Sequence, residues 1–277
     1  MSATVIMLAL SAAALHAAWN AVLRTGADRL WTVTVMSFAM TIVAIPFAFV
    51  LPLPASTAWP YLMLSACLQV GYSVFLVAAY RHGELGQVYP IVRGSVPLLV
   101  TVGGFVAGQH IAILPLLGIV LVALGIMSLA LGKGRATTPT ILLALATGML
   151  IASYTTIDAI GVRATGNPAV YATWICLIYG ALLPATFVAI RGRITLDIRS
   201  PETLKALAGG LVSLASYGAV IFAFALGPAG PITALRETSV VFAALIGGLF
   251  LGEALTPRRI AACAVVALGA VCIGYRA

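Results

Sequence analysis

The residues able to do chemistry in this 277-residue chain are few, and most sit inside apolar stretches. Arg93 lies in Tyr89-Pro90-Ile91-Val92-Arg93-Gly94-Ser95, within an apolar segment from Val88 to Ala107. A guanidinium at that depth needs a counter-charge, a polar cavity or both. Shifting the numbering by 144 residues places Arg93 on Glu237, with Arg236 beside it. The same shift maps Gly83, Gly86, Ser95, Gly103, Gly104 and Gly108 onto Gly227, Gly230, Ser239, Gly247, Gly248 and Gly252, and Ala123-Leu124-Gly125 onto Ala267-Leu268-Gly269. The chain therefore reads as a duplication with ionisable groups at matching depth in each half. Further polar stripes recur at helical spacing: His16, Trp19 and Asn20; Gln69, Tyr72 and Ser73; Tyr154 and Asp158; Ser213, Ser216 and Tyr217. Spacings of three and four put such residues on one helix face. An embedded aspartate such as Asp158 is a functional candidate by default, whereas a lone histidine or asparagine more often serves as helix-to-helix glue.

The elements that must carry these groups follow from composition. With 62% hydrophobic and 8% charged residues, the chain lacks the polar surface of a soluble globule. A bilayer-crossing helix needs about 17 to 25 apolar residues. Ten segments meet that length: Thr4 to Leu23, Leu30 to Val50, Ala58 to Ala79, Val88 to Ala107, Ile111 to Leu131, Pro139 to Gly161, Pro168 to Ile190, Leu204 to Phe224, Pro231 to Leu251 and Arg259 to Tyr275. The expected fold is an all-α integral membrane protein of ten transmembrane helices in two five-helix inverted-topology repeats. The first repeat spans residues 1–132, a connecting loop residues 133–138 and the second repeat residues 139–277. Pro90 and Pro97 withhold backbone donors, so the fourth helix is expected to bend or fray near Arg93. Of Tyr171, Trp174 and Tyr179, the first two read as interfacial aromatics, and all three stay outside the expected site. Glu253, following Gly252 at a helix end, reads as a solvated or capping group.

Charge sets the orientation. Of the 15 basic residues, eleven fall in connections after odd-numbered helices: Arg24, Arg29, Arg81, Lys133, Arg135, Arg191, Arg193, Arg199, Lys205, Arg258 and Arg259. Only Arg163 and Arg276 fall on the other side. By the positive-inside rule the odd connections are cytoplasmic and both termini periplasmic, in a bacterial-type inner membrane. Two halves alike in apolar pattern but opposite in charge phase are what an inverted repeat looks like in sequence. The net charge of +8 belongs to these connections and forms no nucleic-acid stripe. Cys67, Cys176, Cys263 and Cys272 lack the spacing of a metal or redox site. No metal or cofactor is expected.

An inverted repeat with polar groups at mid-membrane on broken helices is the build of a secondary transporter. The absence of a P-loop excludes ATP hydrolysis by this chain. A membrane enzyme, assembled from His16, Asp158, Arg93 and Glu237, lacks a nucleophile motif or cofactor fingerprint. A channel fits poorly with bulky aromatics and paired charges, and a flippase for a lipid-linked metabolite or a multidrug and organic-cation efflux carrier are the alternatives.

Three stretches resemble the ten-helix, EamA-type members of the drug/metabolite transporter superfamily over nearly the whole chain. They are His16-Ala17-Ala18-Trp19-Asn20-Ala21, Ala79-Tyr80-Arg81-His82-Gly83-Glu84-Leu85 running into Tyr89-Pro90-Ile91-Val92-Arg93-Gly94, and the closing block from Gly227-Pro228 to Gly269 with Leu251-Gly252-Glu253. The resemblance implies a proton- or gradient-driven carrier of small metabolites, often an exporter of amino acids or related compounds. Many relatives are drawn with cytoplasmic termini, against the charge distribution here. The helix-one glutamate on which the small four-helix relatives rely is missing from this chain.

The expected substrate site comprises His16, Trp19, Asn20, Gln69, Tyr72, Tyr89, Arg93, Tyr154, Asp158, Tyr217, Arg236 and Glu237. Two cations against two carboxylates suit a zwitterion or polar neutral metabolite. Arg236 and Glu237 point about 100° apart on a helix, so at most one is expected to face the cavity. Arg236 would favour organic anions, Glu237 cations. Asp158, Glu237 or His16 would carry a coupling proton. Lipids are the surrounding partners, and the sequence is compatible with a homodimer but defines no oligomeric state.

Overall fold

In the computed structural model the described residues are 1–25, 28–82, 85–130, 137–250 and 256–275, with side chains described except at 21–25, 76–82, 85–87 and 248–250. They form α1 (Ala3–Thr25), α2 (Arg29–Val50), a 3-10 turn at Ser56–Ala58, α3 (Trp59–His82), α4 (Leu85–Val106), α5 (Ile113–Ser128), α6 (Thr138–Thr165), α7 (Pro168–Arg191), α8 (Pro201–Leu226), α9 (Ala229–Glu237), α10 (Ser239–Phe250) and α11 (Pro257–Gly274). Gly83, Gly252, Glu253, Arg276 and the residues 133–136 of the expected connecting loop lie outside the described residues, as do the side chains of Arg24 and Arg81.

Helix starts are written locally. Thr137, Asn167, Ser200 and Thr256 each accept a hydrogen bond from a backbone amide of the first turn; the last three are followed at once by the prolines that open α7, α8 and α11, and Pro139 stands second in α6. A side-chain oxygen at the cap satisfies an orphan amide, and proline loses nothing at the first helical position. Gly166 and Gly192 end α6 and α7 with φ of 70° and 88°, a region open to glycine at little cost.

Among the described residues, eight helical stretches are long and apolar enough to cross a bilayer, with Ala229–Gly247 bridging α9 and α10 as one of them. α5 is apolar throughout but only 16 residues long. Large apolar side chains face outward, Phe49 at 87% exposure and Val106 at 86% among them, as expected where lipid replaces water. The protein is therefore an all-α multi-pass membrane protein.

The fourth helix does not fray near Arg93. α4 runs unbroken from Leu85 to Val106 with Pro90 and Pro97 inside it. The break falls instead in the ninth segment, at Thr238, where no proline stands. There the Thr238 amide turns back to the carbonyls of Arg236 and Leu235, and its hydroxyl donates to Leu235 O at 2.6 Å. A tightened turn with a side-chain donor satisfies the carbonyls that an ended helix leaves free.

The helices pack in pairs that the 144-residue shift interchanges: α1 lies on α8 as α3 lies on α6, and α4 on α6 as α9 and α10 on α1. α5 meets α11, its own counterpart, along their length. A Cβ added to Gly118 would come within 2.6 Å of Gly269 O, and one added to Gly269 within 2.7 Å of Gly118 O. The two backbones touch there, as small residues permit. Gly118→Ala and Gly269→Ala are each expected to lower stability by about 1–3 kcal/mol, the usual cost of overpacking, read as a fall in melting temperature in detergent. Wild-type melting in both variants would refute the close approach.

Polar contacts tie connections together at each end of the bundle. Arg191 pairs with Asp28 at 3.7 Å, and Trp31 Nε1 donates to Thr195 O at 3.0 Å. Arg258 donates to Ser128 O at 2.8 Å. At the opposite ends of α6 and α8, Arg163 donates from Nε to Phe224 O at 3.1 Å and from Nη2 to Gly227 O.

Candidate functional site

A cavity of about 120 Å³ opens among α1, α2, α3, α4, α6, α7, α8 and α9. Helical periodicity explains its walls. α1 contributes His16 and Trp19, α3 contributes Gln69, Tyr72 and Ser73, and α8 contributes Ser213, Ser216, Tyr217 and Val220, all at spacings of three and four. Single side chains come from α4 (Arg93), α6 (Tyr154), α7 (Tyr179) and α9 (Arg236), and α2 adds Arg29, Val33, Met36 and Met40. Aromatic rings stiffen the enclosure: His16 and Trp19 meet edge to face at 4.9 Å, and Tyr72 and Tyr154 lie 6.0 Å apart.

Eight of the twelve expected residues line this cavity: His16, Trp19, Gln69, Tyr72, Arg93, Tyr154, Tyr217 and Arg236. The other four stand behind the wall. Asn20 is turned onto its own helix, Nδ2 donating to His16 O at 2.8 Å. Tyr89 lies beneath Arg93, whose guanidinium carbon is 5.4 Å from the ring centre, a cation-π distance. Glu237 and Asp158, each 1% exposed, are the buried carboxylates of the two charged clusters.

The first cluster joins the halves. Glu237 Oε1 accepts from Arg236 Nη2 at 3.0 Å and from Arg93 Nη1 at 3.3 Å, and its Oε2 lies 3.5 Å from Arg93 Nη1. Residues 144 apart in sequence thus meet as an ion pair. The break at Thr238 supports this arrangement electrostatically. Arg236 sits at the negative C-terminal end of α9, and Glu237 lies just before the positive N-terminal end of α10. Arg236 faces the cavity and Glu237 does not, which decides the alternative left open by their angular separation. Charge therefore divides unequally: two guanidiniums against one carboxylate that is turned away. Among the described residues, Arg236 Nε and His16 Nε2 are buried without a hydrogen-bond partner. Buried polar atoms are seldom left so, and both belong to residues that line the cavity.

The second cluster holds no ion pair among the described residues. Asp158 Oδ1 accepts from Ser65 Oγ at 2.5 Å and Tyr171 OH at 2.9 Å, and Oδ2 accepts from Tyr217 OH at 2.8 Å. Gln69 Nε2 donates to Ser65 Oγ at 3.1 Å. Tyr171, read from sequence as an interfacial aromatic, is fully buried here.

Other wall residues lay outside the expected set. Tyr179, set aside with Tyr171, lines the cavity with its hydroxyl 3.4 Å from Ser73 Oγ. Ser73, Ser213 and Ser216 lie on the polar stripes already noted. The α2 residues at spacings of four, three and four carry no polar signal beyond Arg29.

An α-helical, multi-pass membrane protein enclosing a polar, cation-bearing cavity at the junction of its helices is the class that fold and site define. Residues 138–275 match the EamA-like transporter family. The chain belongs to that family of transporters, within the drug/metabolite transporter superfamily, whose members are carriers rather than enzymes. No curated protein sequence matches it. A crystal structure of another protein shares the fold, with a TM-score of 0.75 over 97% of this chain and 94% of that chain at 19% identity.

Proposed function

We propose that this transporter is a secondary carrier of a small, amino-acid-like metabolite whose carboxylate is held by Arg93 and Arg236, and that it serves as an exporter or exchanger. The observation that carries the reading is the Arg93–Glu237–Arg236 cluster, with its guanidiniums toward the cavity and its single carboxylate away. Guanidinium is the side chain best shaped to take a carboxylate with two parallel hydrogen bonds. The aromatic rings of Trp19, Tyr72, Tyr154 and Tyr217 offer faces for an amine, so a zwitterion is accommodated but the carboxylate is the required part. The guanidiniums of Arg93 and Arg236, with Arg29 also on the wall, disfavour organic cations. A cavity of about 120 Å³ is slightly smaller than one of about 150 Å³ that admits benzene, which disfavours lipid-linked cargo.

Residues 1–132 and 139–277 act as two inverted repeats, and rocking of one against the other exposes the cavity to each side in turn. The interchange of helix pairs under the 144-residue shift supports this. Thermal shift of the purified protein with alanine, propionate and ethylamine separates the alternatives. Alanine and propionate are expected to raise the melting temperature and ethylamine to leave it unchanged; stabilisation by ethylamine alone would overturn the proposal.

The charge distribution supports an orientation with both termini in the periplasm of a bacterial-type inner membrane. A reporter active only in the cytoplasm, fused after Ala277, is expected to stay silent, whereas one inserted after Thr195 is expected to be active. The reverse pattern would invert the orientation.

A further inference from the structure

We propose that Asp158 is a proton-binding group of this carrier and that the Tyr217 hydroxyl is the relay between it and the cavity. The inference rests on the carrier reading above. Of the two buried carboxylates, Glu237 is neutralised in place by two guanidiniums. Asp158 has no ion-pair partner among the described residues, and its hydrogen bonds come from the hydroxyls of Ser65, Tyr171 and Tyr217. An isolated carboxylate in a dry interior is costly to keep ionised, and a proton is the smallest partner that removes the charge.

The groups around Asp158 define how that proton must travel. From α3, Ser65 points its hydrogen at Oδ1 and receives one from Gln69. From α7 come Tyr171, fully buried, and the Cys176 thiol. Tyr154 on α6 itself and Arg236 on α9 are within electrostatic reach, and α4 brings Arg93, paired with Glu237. Of the three hydroxyls on the carboxylate, only that of Tyr217, on α8, belongs to a residue lining the cavity. In the relay step the Tyr217 O–H breaks and its hydrogen bonds to Asp158 Oδ2, while the phenolic oxygen takes a proton from a hydronium ion in the cavity, which is left as water. One proton moves from cavity to carboxylate, and tyrosine is regenerated.

The step has a consequence for cargo. With Asp158 ionised, the Tyr217 hydrogen is committed to Oδ2 at 2.8 Å. With Asp158 protonated, the acid donates to the Tyr217 oxygen, and the phenolic hydrogen turns to the cavity as a donor for a carboxylate. Proton and carboxylate therefore bind together, and a carboxylate leaving down its own gradient takes a proton with it.

Two measurements on the full-length protein in lipid nanodiscs test this. The first needs no substrate: infrared titration with ¹³C-carboxyl aspartate, where Asp158 is accompanied only by Asp28 and Asp197. A protonated-carboxyl band is expected to appear on acidification, to vanish in Asp158→Asn and to shift in frequency in Tyr217→Phe, which loses its hydrogen-bond partner. A band unaltered in Tyr217→Phe, or insensitive to Asp158→Asn, would refute the site. Should Asp158→Asn not fold, the labelled wild type and Tyr217→Phe decide alone. The second is propionate titration calorimetry in buffers of different ionisation enthalpy. Proton uptake is expected in the wild type and its loss in Asp158→Asn, with propionate affinity weakened but measurable. Undiminished uptake in Asp158→Asn would exclude the coupling. Failure of propionate to bind while the infrared result stands would count against the substrate reading and not against the proton site.

Discussion

Glu237→Gln is expected to lower the stability of the folded protein by about 3–5 kcal/mol, the range measured when one partner of a buried ion pair is removed. Glu237 is 1% exposed and takes hydrogen bonds from both guanidiniums. Its replacement leaves Arg93 and Arg236 facing each other with one neutral acceptor between them. The uncompensated charge, rather than the lost attraction, is the dominant cost. Replacing the three together, Arg93→Met, Arg236→Met and Glu237→Leu, is accordingly expected to recover most of the stability while abolishing carboxylate binding. Thermal unfolding in detergent compares the three proteins. An unchanged melting temperature in Glu237→Gln would mean that the cluster does not hold the halves together. The expected loss of stability would give Glu237 a clamping role beside the proton exchange weighed for it from sequence.

Arg236→Gln is expected to weaken propionate and alanine binding roughly 30- to 150-fold, as loss of a desolvated, charge-assisted contact costs about 2–3 kcal/mol. Stability should fall less than in Glu237→Gln, because Arg93 still pairs with Glu237. Calorimetric titration of both ligands gives the two affinities, and unfolding gives the control. Equal affinity in variant and wild type would remove Arg236 from the site. A drop for alanine without one for propionate would point to the amine as the recognised group and reverse the charge argument.

The limits of most helices were legible in the sequence because their causes are local. Apolar length, a capping Thr, Asn or Ser before proline and a glycine of positive φ act within a few residues. The expected segments end within a few residues of the helices observed. The meeting of Arg93 with Glu237 was also readable, since both occupy one position in a repeated pattern. The break at Thr238 was not, because prolines mark α4 while the helix that ends is α9, where a threonine hydroxyl and a tight turn satisfy the carbonyls.

Which side chains face the cavity was decided only by tertiary structure. In a soluble protein the wet and dry faces of a helix differ in composition, but in a bilayer lipid and protein interior are both apolar. The α2 stripe of Val33, Met36 and Met40 therefore reads the same whether it meets lipid, core or substrate. Polar stripes survive this ambiguity, which is why His16, Gln69, Tyr72 and Tyr217 were found. Direction within a polar stripe does not: Asp158 and Glu237 turn away to hydroxyls and guanidiniums contributed by other helices, and no local pattern records which partner a distant helix will bring.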